Sequence, residues 1–167
     1  DDANEAAEVY ARLAQRMNNW FNSLTSAGLL YETDLQLRPD GNSGLLVSSI
    51  SAFAKYQHEK AWVWEHQALT RARFVAGDAN IGQAFERIRL QVLSLERDQG
   101  TLKQAVLEMR NKMREAHPSK AGVFDIKHDA GGIIDVEFIV QFLVLAHAHQ
   151  TPALCQNLGN INLLNIM

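Results

Sequence analysis

The apolar positions of this chain follow two different periods. From about residue 4 to 25, Ala6, Val9, Tyr10, Leu13, Met17, Trp20, Phe21 and Leu24 recur at steps of three and four, the stripe of an amphipathic helix. Ser26-Ala27-Gly28 closes it, with Gly28 suited to the C-terminal cap. The period then becomes two. Leu29, Tyr31, Thr33, Leu35 and Leu37 alternate with Leu30, Glu32, Asp34, Gln36 and Arg38, which predicts a strand with one apolar and one polar face. Pro39-Asp40-Gly41 has turn chemistry: Pro39 presets φ, Asp40 favours the bend and Gly41 tolerates a positive φ. Leu45-Leu46-Val47 then returns as a second strand, making a hairpin of about residues 29–48. Beyond it the chain reads as helical, with helices at about 49–58, 62–76, 79–95, 101–116 and 131–149 and a last one from about 157. The breaks fall at Gly77-Asp78, Asp98-Gln99-Gly100, His117-Pro118 and Thr151-Pro152. The expected architecture is mainly α, a helix and β-hairpin followed by a helical bundle.

Composition narrows the function classes. At 167 residues, with 47% apolar and 21% charged positions, the chain can bury a core and has the balance of a soluble globular protein. A net charge of −3 gives no electrostatic case for nucleic acid. Cys155 has no intramolecular disulfide partner, which points to a cytoplasmic protein. No apolar run approaches the roughly 18 to 20 residues that span a bilayer. Asp1-Asp2-Ala3-Asn4-Glu5 lacks the layout of a signal peptide. There is no initiator Met, and the chain stops inside the apolar pattern Ile161 to Met167, so both ends read as cut from a larger protein.

Candidate chemistry centres on the polar face of the expected strand. Asp34 beside Arg38, four residues on, is a place to hold a metal or a phosphate. The alternative is a solvated carboxylate, with Arg38 paired to Glu32 or Asp34. In the helix at 62–76, Glu65 and Arg73 lie about two turns apart on one side and Arg71 points elsewhere; Trp62 and Trp64 read as core anchors. Asp135 and Glu137 follow Gly131-Gly132 at a helix start, where capping and the helix dipole account for them and their spacing argues against a metal pair. Asp125 and Lys127 can join them in a polar network. Lys103, Arg110 and Arg114 fall near one helix face and read as solvated. The six histidines have no metal-ligand spacing, and no phosphate loop or nucleophile elbow occurs.

Three ordered blocks add a resemblance. Asp34 to Val47 (DLQLRPDGNSGLLV) is similar to the D-x-R-L-R-P-S-G-x-x-G-x-L-V signature of bacterial glutamine synthetase adenylyltransferases. Trp62 to Arg73 resembles that family's W-x-W-E-x-Q-A-L-x-R-A-R segment, and Phe124 to Phe138 its F-D-I-K-x-x-x-G-G-x-x-D-x-E-F segment. The Leu-Leu-Val run and the Trp62 to Leu69 segment resemble the C-terminal, adenylylating half more than the adenylyl-removing half. Gln36 stands where the family often has arginine, and Asp40 where it usually has serine.

The resemblance implies the C-terminal part of a nucleotidyltransferase fold (α/β, DNA polymerase β-like) at residues 1–90 and a separate helical bundle at 91–167, the boundary lying between 78 and 100. It implies transfer of AMP from ATP to a tyrosine of glutamine synthetase with Mg²⁺, set in balance by a nitrogen-signalling regulator protein and glutamine. Asp34 matches the family's single metal-binding acid, and Arg38 is placed to meet the nucleotide phosphates. The paired acids of the same site belong upstream, so the chain alone is expected to be inactive. A non-catalytic helical interaction module, or a nucleotidyltransferase with another protein substrate, is the alternative.

Overall fold

The computed structural model describes residues 2–29, 31–119 and 122–167. The chain packs as two units, Asp1–Glu59 and Lys60–Met167. Packing divides the chain after Glu59.

The first unit holds helix α1 (Asp2–Phe21), a minimal antiparallel hairpin of β1 (Leu24–Thr25) and β2 (Gly28–Leu29), and helix α2 (Ile50–Glu59). α1 ends at Phe21, short of the expected residue 25. The reason is local. Ser23 N turns to Trp20 O (3.3 Å), and Ser23 Oγ takes Asn19 O (2.5 Å), the carbonyl that Ser23 N would have used in another helical turn. Gly28, at φ 103°, therefore serves the Leu24–Leu29 hairpin and does not cap the helix.

The hairpin expected at 29–48 is not formed. Residues 31–36 and 45–49 have no regular structure, and among the described residues no strand pairs with either run. Leu30, assigned above to the polar face, lies outside the described residues. A strand exists through its ladder, and a period of two cannot make one without a neighbour. Residues 31–33 are tied instead to the end of α1. Tyr31 N donates to Phe21 O (3.1 Å), Thr33 N to Asn22 Oδ1 (3.3 Å), and the Tyr31 ring meets Phe21 edge-on at 5.9 Å. The apolar stripe of α1 is also uncovered: Val9, Tyr10, Leu13, Met17 and Trp20 are all exposed.

The second unit is a bundle of α3 (Val63–Leu69), α4 (Ala79–Leu93), α5 (Gln99–Ala116), α6 (Ile133–His147) and α7 (Asn160–Ile166). α6 is apolar nearly all round and packs against α3, α5 and α7, as a central helix must. Its residues Val140, Val144 and Leu145 join Val92, Leu93, Leu102, Val106, Leu154 and Leu163 in the core. Asp78 and Asp98 cap α4 and α5 as the breaks at those positions suggested, accepting from Asn80 N and Thr101 N at 2.7 Å each. Among the described residues no helix is long and apolar enough to cross a membrane.

The helix expected at 62–76 stops at Leu69, and tertiary contacts stop it. Thr70 Oγ1 donates to Gln67 O (2.7 Å), while Arg89 of α4 donates from Nε to Leu69 O (2.8 Å) and from Nη2 to Thr70 O (3.4 Å). The tryptophans are not core anchors: Trp62 is exposed and Trp64 half-buried, while the polar Glu65, His66 and Gln67 are buried. Leu93 is fully buried and Leu24 fully outside, so the two leucines should respond differently to truncation. Leu93→Ala is expected to lower stability by about 2–5 kcal/mol, and Leu24→Ala by less than about 0.5 kcal/mol, in urea denaturation.

Candidate functional site

The site residue singled out by pattern, Asp34, sits on the irregular segment between the hairpin and the turn. Its side chain is exposed, and Oδ1 accepts the Gln36 N–H at 2.8 Å, an Asx-type turn that fixes the carboxylate by one oxygen. Arg38 is half-buried and faces its own loop. Nε donates to Gly44 O (3.2 Å) and Nη1 to Leu35 O, so the guanidinium bridges the two ends of residues 35–44.

The turn itself is built as its residue types require. Gly41 N donates to Arg38 O (2.9 Å), Gly44 N to Gly41 O (3.1 Å) and Ser43 Oγ to Asp40 O (2.8 Å). Asp40 and Gly41 both take positive φ, 60° and 53°. A Cβ at Gly44 would lie 1.9 Å from Pro39 O, so only glycine fits. The R-P-x-G-x-x-G part of the block is thus a closed loop presenting Asp34 at its entrance. Among the described residues no three His, Cys, Asp or Glu side chains gather as a metal cluster.

The other two blocks meet in the second unit. Arg71, which falls after α3, forms a two-pronged pair with Glu137 of α6: Nη2 lies 2.9 Å from Oε1 and Nε 3.3 Å from Oε2. The same guanidinium donates to Leu158 O (2.8 Å) and Asn160 Oδ1, and Asn160 Nδ2 donates to Glu137 Oε1 (3.1 Å). This joins the end of α3 to α6 and the start of α7. Sequence reading set Arg71 aside in favour of Arg73, which is exposed and not on the helix. The partners are 66 positions apart, and no local period points from one to the other. Glu65 accepts the Trp62 N–H at 2.8 Å and caps α3.

Asp125, Lys127, Asp135 and the two glycines form the entry to α6. Asp125 accepts from Lys127 N (2.8 Å), His128 N (3.1 Å) and His128 Nδ1 (2.8 Å), and the His128 ring stacks on His117 at 4.4 Å. Ile126 O and Lys127 O take the Ile133 and Ile134 N–H groups at 2.8 and 3.2 Å, so the loop caps the helix with its own backbone. Gly132 must be glycine, because a Cβ would sit 2.5 Å from Ile126 O. Asp135 does act as a first-turn acid: Oδ2 accepts the Gly131 N–H at 2.6 Å and Oδ1 accepts Arg110 Nε at 2.5 Å.

Arg110 corrects the solvated-face reading. It is buried, and Nη2 donates to His128 O (2.7 Å) and Asp129 O (3.3 Å), while Lys103 and Arg114 are exposed. A helix-face count cannot tell a buried guanidinium from a solvated one.

A profile of the glutamate-ammonia ligase adenylyltransferase family matches residues 1–88. The chain belongs to that family. Among its curated relatives, the bifunctional glutamine synthetase adenylyltransferase/adenylyl-removing enzyme of Aromatoleum aromaticum is 65% identical over 166 residues. The proteins of the same name from Nitrosomonas eutropha and Chromobacterium violaceum are 61% and 57% identical. Each alignment covers 99% of this chain and 18% of the relative, so the chain spans less than a fifth of their length. The third block, outside the profile match, lies within these alignments, and in this family member its residues serve the α6 entry.

Two measurements check the second-unit networks. The His128 side chain, together with the Lys127 N–H, holds the Asp125 carboxyl down at about 2, against an ordinary 3.8. Its stabilising effect is therefore full above the ordinary value and disappears as pH falls through about 2. A carboxyl NMR titration should place Asp125 near 2 and should move it up toward the ordinary value in His128→Ala. Asp135→Ala leaves the buried Arg110 charge without its carboxylate. It is expected to cost about 3 kcal/mol in urea denaturation, the lower end of the range for breaking such pairs, because Asp135 is partly exposed.

Proposed function

We propose that the protein containing this chain transfers AMP from ATP to a tyrosine hydroxyl of glutamine synthetase, with Asp34 in its metal site. The tyrosine oxygen attacks the α-phosphorus, the bond to the bridging oxygen of the β-phosphate breaks, and pyrophosphate leaves with the negative charge. One observation carries the reading: the exposed, turn-fixed carboxylate of Asp34 stands at the acid position of the family's block, within the profile match. Relatives that align with nearly the whole of this chain at 57–65% identity bear the names of both adenylylating and adenylyl-removing activities.

Magnesium fits what Asp34 offers. The ion is commonly held by one or two carboxylates, with waters and substrate phosphates completing its octahedron. Bound there, it supplies charge neutralisation at the reacting phosphate. Asp34 is one ligand and the group beside which the attacking hydroxyl gives up its proton; further acids must come from elsewhere in the protein, so the chain by itself is inactive. Arg38 holds the loop that carries Asp34 in place and is the residue we assign to the nucleotide phosphates. A regulator protein of nitrogen signalling and glutamine set the balance of the two activities. The protein works in the cytoplasm.

In the full-length protein, Asp34→Asn is expected to lower AMP transfer from labelled ATP to glutamine synthetase by at least about a hundredfold while leaving thermal unfolding unchanged. Transfer equal to wild type by a folded variant would remove Asp34 from the mechanism.

A further inference from the structure

Between α5 and α6 lies a cleft of about 360 Å³, within the range of small-molecule sites. Val106, Leu107, Phe138, Ile139 and Phe142 make its apolar walls. Its polar lining is unbalanced. Lys103, Arg110 and Arg114 stand against one acid, Asp135. Each oxygen of that acid is already engaged, one by Arg110 Nε and the other by the Gly131 N–H. The contact with Gly131, ahead of those with Arg110 and Arg114, lowers its pKa, so it stays ionised.

Arg110 is the second observation. Its side chain is 9% exposed, and it is held in position by Asp135 Oδ1, His128 O and Asp129 O. Among the described residues Nη1 has no hydrogen-bond partner, although it is buried. A buried N–H without an acceptor costs roughly 1–3 kcal/mol, and more on a charged group. An anionic oxygen brought against Nη1 would remove that cost and meet the charge of Lys103 and Arg114, which line the same cleft. Arg110 is buried and Arg114 exposed, so the cleft offers one sheltered and one solvated cation. The incoming group must also carry an apolar body for the two phenylalanines.

We propose that the α5–α6 cleft is a binding site for a small apolar carboxylate, its head on Arg110 and Arg114 and its body against Phe138, Ile139 and Phe142. A rigid guanidinium, already oriented by three acceptors, loses little freedom when a carboxylate arrives. The site lies wholly in the Lys60–Met167 unit.

The test is calorimetric titration of the chain with 4-phenylbutyrate, and with 4-phenylbutyramide, which keeps the body and removes the charge. Acetate, which keeps the charge and removes the body, is the third probe. The acid is expected to saturate, with the amide and acetate each at least about tenfold weaker, equivalent to about 1.4 kcal/mol. Under phenylbutyrate the Arg110 side-chain resonances should shift in arginine-selective NMR. Ile139→Glu, at a position 56% exposed, should abolish binding without unfolding the chain, and Arg114→Gln should weaken it severalfold. Equal binding of acid and amide, or no saturation by the acid, overturns the proposal.

Discussion

Guanidinium groups donating to backbone carbonyls at helix ends hold the bundle unit in its shape. A helix leaves its last carbonyls without intrahelical donors, and burying them bare is costly. Arg89, 1% exposed, answers this for α3 by reaching Leu69 O and Thr70 O, with Glu86 beside it at 2.6 Å. Arg97 does the same for α4, donating to Val92 O (2.6 Å) and Leu95 O (2.9 Å), and adds Leu145 O of α6 at 3.4 Å. Arg110 serves the loop carbonyls ahead of α6. In each case a cation stands where the dipole favours one or where a loop exposes carbonyls, and Arg89, Arg97 and Arg110 each make at least one bond to a distant segment.

That constraint explains why the family's second and third blocks carry charge in a bundle. Arg71 and Glu137 clamp the end of α3 to α6 and, through Asn160, to α7. Asp125, Gly132 and Asp135 shape a loop whose backbone caps α6. The first block has a different character. Its turn is rigidly specified, yet the carboxylate it presents is exposed and bonded only to its own turn.

The first unit shows what an element does without its neighbours. The α1 stripe and Leu35 and Leu37 remain exposed, and the alternating run from Tyr31 makes no ladder. Hydrophobic pattern describes what a segment can bury, and burial follows only where another surface is present to receive it.

Read alone, the sequence was sufficient for the elements whose causes are local. The helix caps at Asp78 and Asp98 follow from side chains two or three residues from the N–H groups they satisfy. The turn from Pro39 to Gly44 follows from the φ values its residues permit, and the block around Asp34 pointed to the family. Tertiary structure decided what depends on distant partners. Arg89 ended α3 at Leu69, seven residues before its apolar period ran out, because a guanidinium from α4 took the next carbonyls. Arg71 found Glu137 across 66 positions, and Arg110 was drawn inward by Asp135 when helical spacing alone left it on a polar face. Periodicity records the geometry of one element, whereas a charge is buried or solvated according to the acceptors that other elements bring to it.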